Sequence, residues 1–298
     1  MPELPDVVVY IEHLGTRLTG RTLTRLRLLN PFVLRSVNPP IASAEGKRVL
    51  GLRRIGKRIV FELEGGLFLV LHLMIAGRLR WLASGAKPPG RIALAVFEFD
   101  NVTLLLTEAG TKRRASIYLV EGEAALAAMD PGGLEVLEAR LEEFAARLKA
   151  DRHTLKRALT DPHLFSGIGN AYSDEILHRA KLSPFAQTQS LSGEDTRRLY
   201  AAVRSILTEW TERLRREAGA DLPVKVTAFR EGMAVHGRFR KPCPVCGSPV
   251  QRIVYAENET NYCARCQTGG KLLADRALSR LLHEDWPRTL EELEELRR

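Results

Sequence analysis

The sequence predicts an α+β chain of several domains: an N-terminal antiparallel β-sandwich or barrel with flanking helices, a helical domain, and a C-terminal metal-bound β-hairpin. Three observations carry this. Between Thr22 and Val120, short runs of alternating or β-rich composition recur between turn signals; from Gly122 the apolar residues change to helical spacing; and the only four cysteines fall together within 24 residues near the end. With 298 residues, 45% of them hydrophobic, the chain can build two or three cores rather than one.

Met1-Pro2-Glu3-Leu4-Pro5-Asp6 leads into the first element, a helix with Asp6 as N-cap and Val7, Ile11, Leu14 and Leu18 at helical spacing before Gly20. Strands are expected at Thr22 to Leu29, Arg48 to Ile55, Arg58 to Leu63, Leu67 to Leu73, Ile92 to Phe99, Val102 to Thr107 and Ser116 to Val120, with Glu64-Gly65-Gly66 and Asp100-Asn101 among the turns. Leu134, Leu137, Leu141, Phe144 and Leu148 keep helical spacing, and further helices are expected at Thr154 to Thr160, Asn170 to Ala180 and Gly193 to Arg216.

Asp161 to Asn170 forms a compact turn whose glycines let backbone amides come close to a ligand. The helix starting at Asn170 offers its positive end to a phosphate, although two glycines before a helix are by themselves more often an ordinary tight turn. A hairpin is expected from Val250 to Tyr262, and the tail ending in Glu291, Glu292, Glu294 and Glu295 reads as a solvated helix. The corresponding domains are 1–121, 122–240, 241–270 and a helical extension, 271–298.

Forty-five Lys and Arg against 36 Asp and Glu give a net charge of +9, which favours polyanionic partners: nucleic acid first, an anionic membrane surface second. No run of 18 apolar residues exists and no basic segment followed by an apolar one opens the chain, so neither a spanning helix nor a secretion signal is expected, and the location is cytoplasmic. In such a chain clustered cysteines argue for metal rather than disulfides.

The chemistry begins at the start of the chain. A small second residue such as Pro2 permits removal of the initiator methionine, leaving a secondary amine of pKa about 8 that can attack an aldehyde carbon and form an iminium. Glu3 stands beside it, whereas a lone Met-Pro start more often only stiffens an exposed terminus. Cys243-Pro244-Val245-Cys246 and Cys263-Ala264-Arg265-Cys266, sixteen residues apart, have the paired spacing that sets four sulfurs around one structural Zn²⁺. A redox dithiol would instead show one pair at a helix start.

Arg238, Arg240, Lys241 and Arg252 would lie near that module as phosphate contacts or as a solvated rim. Lys57, in the basic run Arg53 to Arg58, could clamp a phosphate near Pro2 or simply be exposed. His72 ends an apolar strand as a core residue by default. Ile75 is core or an apolar wedge between bases, and Lys112-Arg113-Arg114 is the densest charge of the first domain, a credible backbone contact.

Taken together, five signatures in order resemble the family of formamidopyrimidine-DNA glycosylases and endonuclease VIII. They are Met1 to Pro5, with Asp6 where Glu is common; Gly56-Lys57; His72-Leu73 through Gly77-Arg78-Leu79; Ile168-Gly169-Asn170-Ala171-Tyr172-Ser173-Asp174-Glu175-Ile176-Leu177; and Val235-His236-Gly237-Arg238 leading to the four cysteines and Gln267. The match spans residues 1 to about 268. It implies a β-sandwich, a helix-two-turns-helix domain and a zinc finger, which grip bent, damaged double-stranded DNA between them while one nucleotide is turned out of the stack.

It further implies a monomeric base excision repair enzyme, both glycosylase and lyase, in which Pro2 forms a Schiff base with sugar C1′, Glu3 gives acid and base assistance, and Lys57 contacts the phosphate beside the lesion. Arg152, Lys156 and Asn170 match phosphate-holding positions. Asn258 stands where the family's finger carries an Arg that grips phosphate and supports the second, δ, elimination, so whether δ-elimination occurs stays open and depends on Arg252 or Arg265 substituting for it. Ile75 takes the void-filling position, and Glu108 to Ala115 lacks the family's aromatic wedge. A catalytically silent binder of damaged DNA on the same fold is the alternative that these departures suggest, and the preferred lesion stays open.

Overall fold

The computed structural model describes residues 1–83, 86–110, 112–223, 229–255, 258–274 and 287–295. The chain divides into two compact units: Met1–Pro131 with Trp210–Thr227, and Gly132–Glu209 with Ala228–Arg298.

Unit 1 opens with helix α1, Leu4–Leu18. Its N-cap is Glu3 rather than Asp6. Pro5 has no N–H to lose in the first turn, so the helix starts earlier, and Asp6 turns back to accept the backbone N–H of Glu3 at 2.9 Å. Eight strands follow: β1 Thr22–Leu28, β2 Lys47–Ile55, β3 Arg58–Leu63, β4 Leu67–His72, β5 Gly77–Leu82, β6 Ala93–Phe99, β7 Val102–Glu108 and β8 Ser116–Glu121. They hydrogen-bond in the order β5-β7-β6-β1-β2-β3-β4-β8, every pairing antiparallel.

β1 and β2 share only the pairs Thr22↔Arg48 and Leu23↔Lys47, and at this seam one layer of the sandwich passes into the other. Alternate residues of both layers, such as Leu104 and Leu106 on β7 and Ile59, Phe61 and Leu63 on β3, fill one core with Val7, Tyr10, Leu14 and Leu18 of α1. The amphipathic spacing of α1 thus fixes the start of the chain to the sandwich. Val60, Phe68 and Val70 point the other way, onto Leu126 of α2, Glu123–Ala127.

Unit 2 contains α3 Leu141–Lys149, α4 Leu155–Thr160, α5 Asn170–Arg179 and the first part of α6, Gly193–Ala218, whose remainder belongs to unit 1. Leu134 and Leu137 keep helical spacing without forming helix. The Leu134 backbone is taken sideways instead, its N–H donating to Leu164 O at 3.0 Å and its carbonyl accepting from Ser166 at 2.9 Å. Gly133 permits that approach, since a Cβ there would lie 2.3 Å from Pro162 O.

The hairpin is β9 Gln251–Tyr255 paired with β10 Asn258–Tyr262, followed by α7, Ala264–Thr268. The tail differs from the expected solvated helix. Lys271 bridges Thr289, the Leu273 N–H donates to the Tyr262 hydroxyl at 2.8 Å, and Leu290, at the start of the short helix Leu290–Glu295, packs with Ile253, Tyr262 and Ala264. Apolar residues at 272, 273 and 290 give the extension a face to bury; residues 275–286 of the expected tail helix lie outside the described residues.

Candidate active site and nucleic-acid interface

In unit 1, the entry of α1 and the β2–β3 and β4–β5 turns bring charged groups to the start of the chain. With Met1 attached, the Pro2 nitrogen is an amide and Pro2 and Glu3 are buried. The Met1 amino group is held below its ordinary pKa, first by burial; Glu3 and Asp6 oppose the change, while Arg78 and then Lys57 add to it. Four ionisable side chains from three segments, the α1 entry and the turns bearing Lys57 and Arg78, therefore surround this amine. Lys57 sits on the turn after Gly56, whose φ of +57° suits glycine and whose carbonyl accepts from Arg54 Nη1 at 2.6 Å.

His72 ends β4 opposite Arg58. Burial, with the charges of Arg58 and Lys57, pushes its pKa down to about 4, so it is a neutral imidazole at pH 7. Behind it the chain turns sharply. Met74 has φ +50°, the Gly77 N–H donates to Leu73 O at 2.8 Å, and a Cβ at Gly77 would lie 2.2 Å from that same oxygen. Arg78 Nη1 donates to the carbonyls of Ile75 (3.2 Å) and Gly77 (2.6 Å), closing the loop from its stem. Ile75 at the tip is 58% exposed and is therefore not a core residue.

Lys112, Arg113 and Arg114 are exposed. Their loop is held from beneath by buried Glu108, whose carboxylate accepts the N–H of Arg114 (2.9 Å) and of Ala115 (3.0 Å). A buried glutamate ending a strand was not among the residues singled out from sequence. Arg78 lies in the signature ending Gly77-Arg78-Leu79 but was given no role there.

In unit 2, exposed Arg152 precedes α4, and Asn170, half-buried, is the first residue of α5. Lys156 is placed differently from the phosphate contact expected. It is 8% exposed, and its ammonium donates to Asp174 Oδ1 (2.5 Å), Asn170 O (2.7 Å) and Ser173 Oγ (2.8 Å), so its hydrogen bonds secure the first turn of α5 from behind. Asp174 Oδ2 also accepts from His236 Nδ1 (2.7 Å) and from the Asn261 backbone N–H (3.1 Å). Glu175 accepts the N–H groups of Ala234, Val235 and His236 at 2.7–2.9 Å; burial raises its pKa, and these three donors work against that by favouring the carboxylate.

The two Cys-x-x-Cys turns converge. Their sulfurs all lie within 4.8 Å of one another, with Cys246 to Cys263 at 3.4 Å and Cys243 to Cys266 at 3.9 Å. A tetrahedral ion with Zn–S bonds of about 2.3 Å requires sulfurs about 3.8 Å apart, so the donor set fits one four-coordinate structural Zn²⁺ with no open position. Beside it, Arg252 on β9 and Arg240 both stack on Phe239, at 4.6 and 5.1 Å, and Arg252 also reaches Glu259 at 3.6 Å. Arg238 is turned to the knuckle itself, donating to Pro242 O at 2.9 Å. Asn258 opens β10 opposite Tyr255. Among the described residues no helix is long and apolar enough to cross a membrane.

Three family models match successive parts of the chain: the formamidopyrimidine-DNA glycosylase N-terminal domain at residues 1–115, the H2TH domain of the same enzymes at 132–217, and the zinc finger found in FPG and IleRS at 240–269. The formamidopyrimidine-DNA glycosylase of Thermus thermophilus is 36% identical over 283 residues, 91% of this chain and 100% of that protein, and that of Solibacter usitatus is 33% identical over 276 residues, 90% and 99%. The crystal structure of the Thermus thermophilus MutM (Fpg) protein superposes with a TM-score of 0.75 at 34% identity, covering 89% of this chain and 98% of that one. A complex of the Lactococcus lactis Fpg with DNA containing an abasic site shares the fold, with a TM-score of 0.79 at 23% identity over 89% and 99% of the two chains. The three family models follow one another along the chain, relatives at 33% and 36% identity are matched over nearly their whole length, and the chain belongs to the formamidopyrimidine-DNA glycosylase family.

Proposed function

We propose that the chain is a bifunctional DNA glycosylase and AP lyase of base excision repair, working as a monomer in the cytoplasm on damaged double-stranded DNA. The observation that carries this reading is the gathering of Glu3, Lys57 and Arg78 around the beginning of the chain, which the N-terminal family model matches from residue 1.

Excision of Met1 converts the Pro2 amide nitrogen into a secondary amine. Its lone pair attacks C1′ of the extruded nucleotide, the C1′–N bond breaks, and the base departs with a proton. Opening of the C1′–O4′ bond gives the iminium, with the proton for O4′ supplied by Glu3. Loss of a C2′ proton then expels the 3′ phosphate, and water releases the sugar from Pro2. Lys57 and Arg78 help in two ways: their charge adds to burial in lowering the proton affinity of a nearby amine, and it attracts the phosphate flanking the lesion.

In this reading Ile75 fills the space left by the extruded nucleotide, His72 and the Lys112–Arg114 loop meet the backbone, and Arg152, Asn170 and Arg252 hold phosphates. Asn258 is neutral, so β-elimination is the main outcome, and δ-elimination requires Arg252 or Arg265 to supply the missing phosphate contact. The test is borohydride trapping on an abasic duplex, with the cleaved ends resolved by gel. The expected result is one covalent adduct, abolished when the amine is blocked or Met1 is retained, with a 3′ unsaturated aldehyde as the main product. An adduct that survives blocking of the N-terminus would overturn the assignment of Pro2.

A further inference from the structure

One face of α5 carries three polar residues at four-residue intervals, Asn170, Asp174 and His178, and the side chains of the latter two reach the metal hairpin. His178, 6% exposed in the last turn, places Nε2 3.3 Å from Cys243 Sγ, one of the four metal-site sulfurs. A metal-bound thiolate can only accept here, so the imidazole is the donor. One turn earlier, Asp174 binds the backbone N–H of Asn261, two residues before the ligand Cys263. The same carboxylate holds Lys156, which in turn holds Asn170 O and Ser173 Oγ, while Ser173 Oγ donates to Gly169 O at 2.6 Å. Beyond the helix, Gln267 links Leu182 O to the Cys263 N–H. The metal knuckles are thus tied to the far end of α5 and, through one buried carboxylate, to its first turn.

We propose that α5 is a rigid coupling in which His178 and Asp174 are positioning residues: His178 fixes a sulfur of the Zn²⁺ site, Asp174 fixes the Asn170 turn, and metal occupancy therefore sets the geometry of that turn. That the turn receives a phosphate rests on the proposed function; the coupling does not. Its direct consequence is that the backbone amides at the start of α5 are protected only when the hairpin is metal-bound. Its consequence for binding is reciprocity: the factor by which Zn²⁺ tightens duplex binding equals the factor by which the duplex tightens Zn²⁺.

The experiment is amide hydrogen exchange of the full chain, zinc-loaded and chelator-treated, read at peptides covering residues 164–176, with α6 residues 193–209 as the reference within unit 2. The coupling requires exchange at 164–176 to rise about tenfold or more on zinc removal while the reference stays within about twofold. Zinc transfer to a chromophoric chelator should be about 10 to 100 times easier from His178→Phe than from the native chain, and His178→Gln, whose amide still donates to sulfur, should restore most of the difference.

A turn whose exchange ignores zinc would overturn the proposal, and so would an equal rise throughout unit 2, which is unfolding rather than coupling. Zinc transfer repeated with an abasic-analogue duplex separates the two readings. Coupled exchange with no slowing by the duplex leaves the helix linkage standing and removes the phosphate from the Asn170 turn.

Discussion

His72 provides a pH test whose sign and size both follow from its surroundings. In the unfolded chain the imidazole titrates near its ordinary value of about 6.5; in the fold, burial and the charges of Arg58 and Lys57 lower this to about 4. Between those values the unfolded state binds more protons, so stability rises with pH there. The contribution is complete above about pH 6.5 and lost as the pH falls towards 4. At about 1.4 kcal/mol per tenfold change, the gap corresponds to about 3 kcal/mol as a ceiling, and to about 2 once the partial exposure of the ring is allowed for.

His72→Gln, which keeps an N–H donor and removes the titration, should lose this slope. The assay is urea unfolding of both proteins at half-unit steps from pH 7.5 to pH 4.5, reading the difference in stability so that groups common to both cancel. That difference should shrink or change sign by about 2 kcal/mol towards low pH. A constant difference, or a His72 ring that titrates above pH 6 by NMR, would refute the reasoning.

Three further outcomes are expected. Gly77→Ala must move a Cβ out of its 2.2 Å overlap with Leu73 O, so the loop opens; the cost should be about 2–4 kcal/mol of stability by urea titration, and a change below about 0.5 would mean that the turn is soft. Ile75→Ala, at a residue 58% exposed, should leave the melting temperature within about 1–2 °C. It should nevertheless weaken binding to an abasic-analogue duplex about tenfold in fluorescence anisotropy, and equal affinity for the two proteins would remove Ile75 from the interface. Lys156→Met leaves the Asp174 carboxylate, hidden from solvent, without its cation. The loss should be about 3–5 kcal/mol, and a loss below about 1 kcal/mol would show that His236 and Asn261 suffice.

The sandwich was legible because its strands alternate between one shared core and the outside. The seven runs expected from pattern agree with seven of the eight strands to within one residue at each end. β5 escaped because Gly77-Arg78-Leu79-Arg80-Trp81-Leu82 overlaps the motif that runs from His72 to Leu79, although its apolar-charged alternation was there to read. Helical spacing at Leu134 and Leu137 misled because periodicity reports which side chains can face a core and says nothing of where the backbone hydrogen bonds go. The metal site was readable in full, since ligand spacing is local.

Lys156 shows the limit of site reading by residue type. A lysine beside a glycine-containing turn at a helix start has the composition of a phosphate contact, but Asp174, eighteen positions on, decides that its ammonium faces its own unit's helix. Likewise, Glu108, Asp174 and Glu175 act by accepting backbone or buried side-chain donors, and only tertiary structure brings those donors to them.

The sharp bend after His72 is specified by a glycine with no room for a methyl group and by a guanidinium holding two main-chain oxygens. None of these constraints refers to the side chain at position 75. The scaffold can thus exchange its fingertip without reshaping its hand: bulkier, smaller or polar residues there leave the knuckle beneath unaltered and, under the proposed wedge role, retune what is felt in the helix. Selection for new damage can act on that one codon at little structural risk.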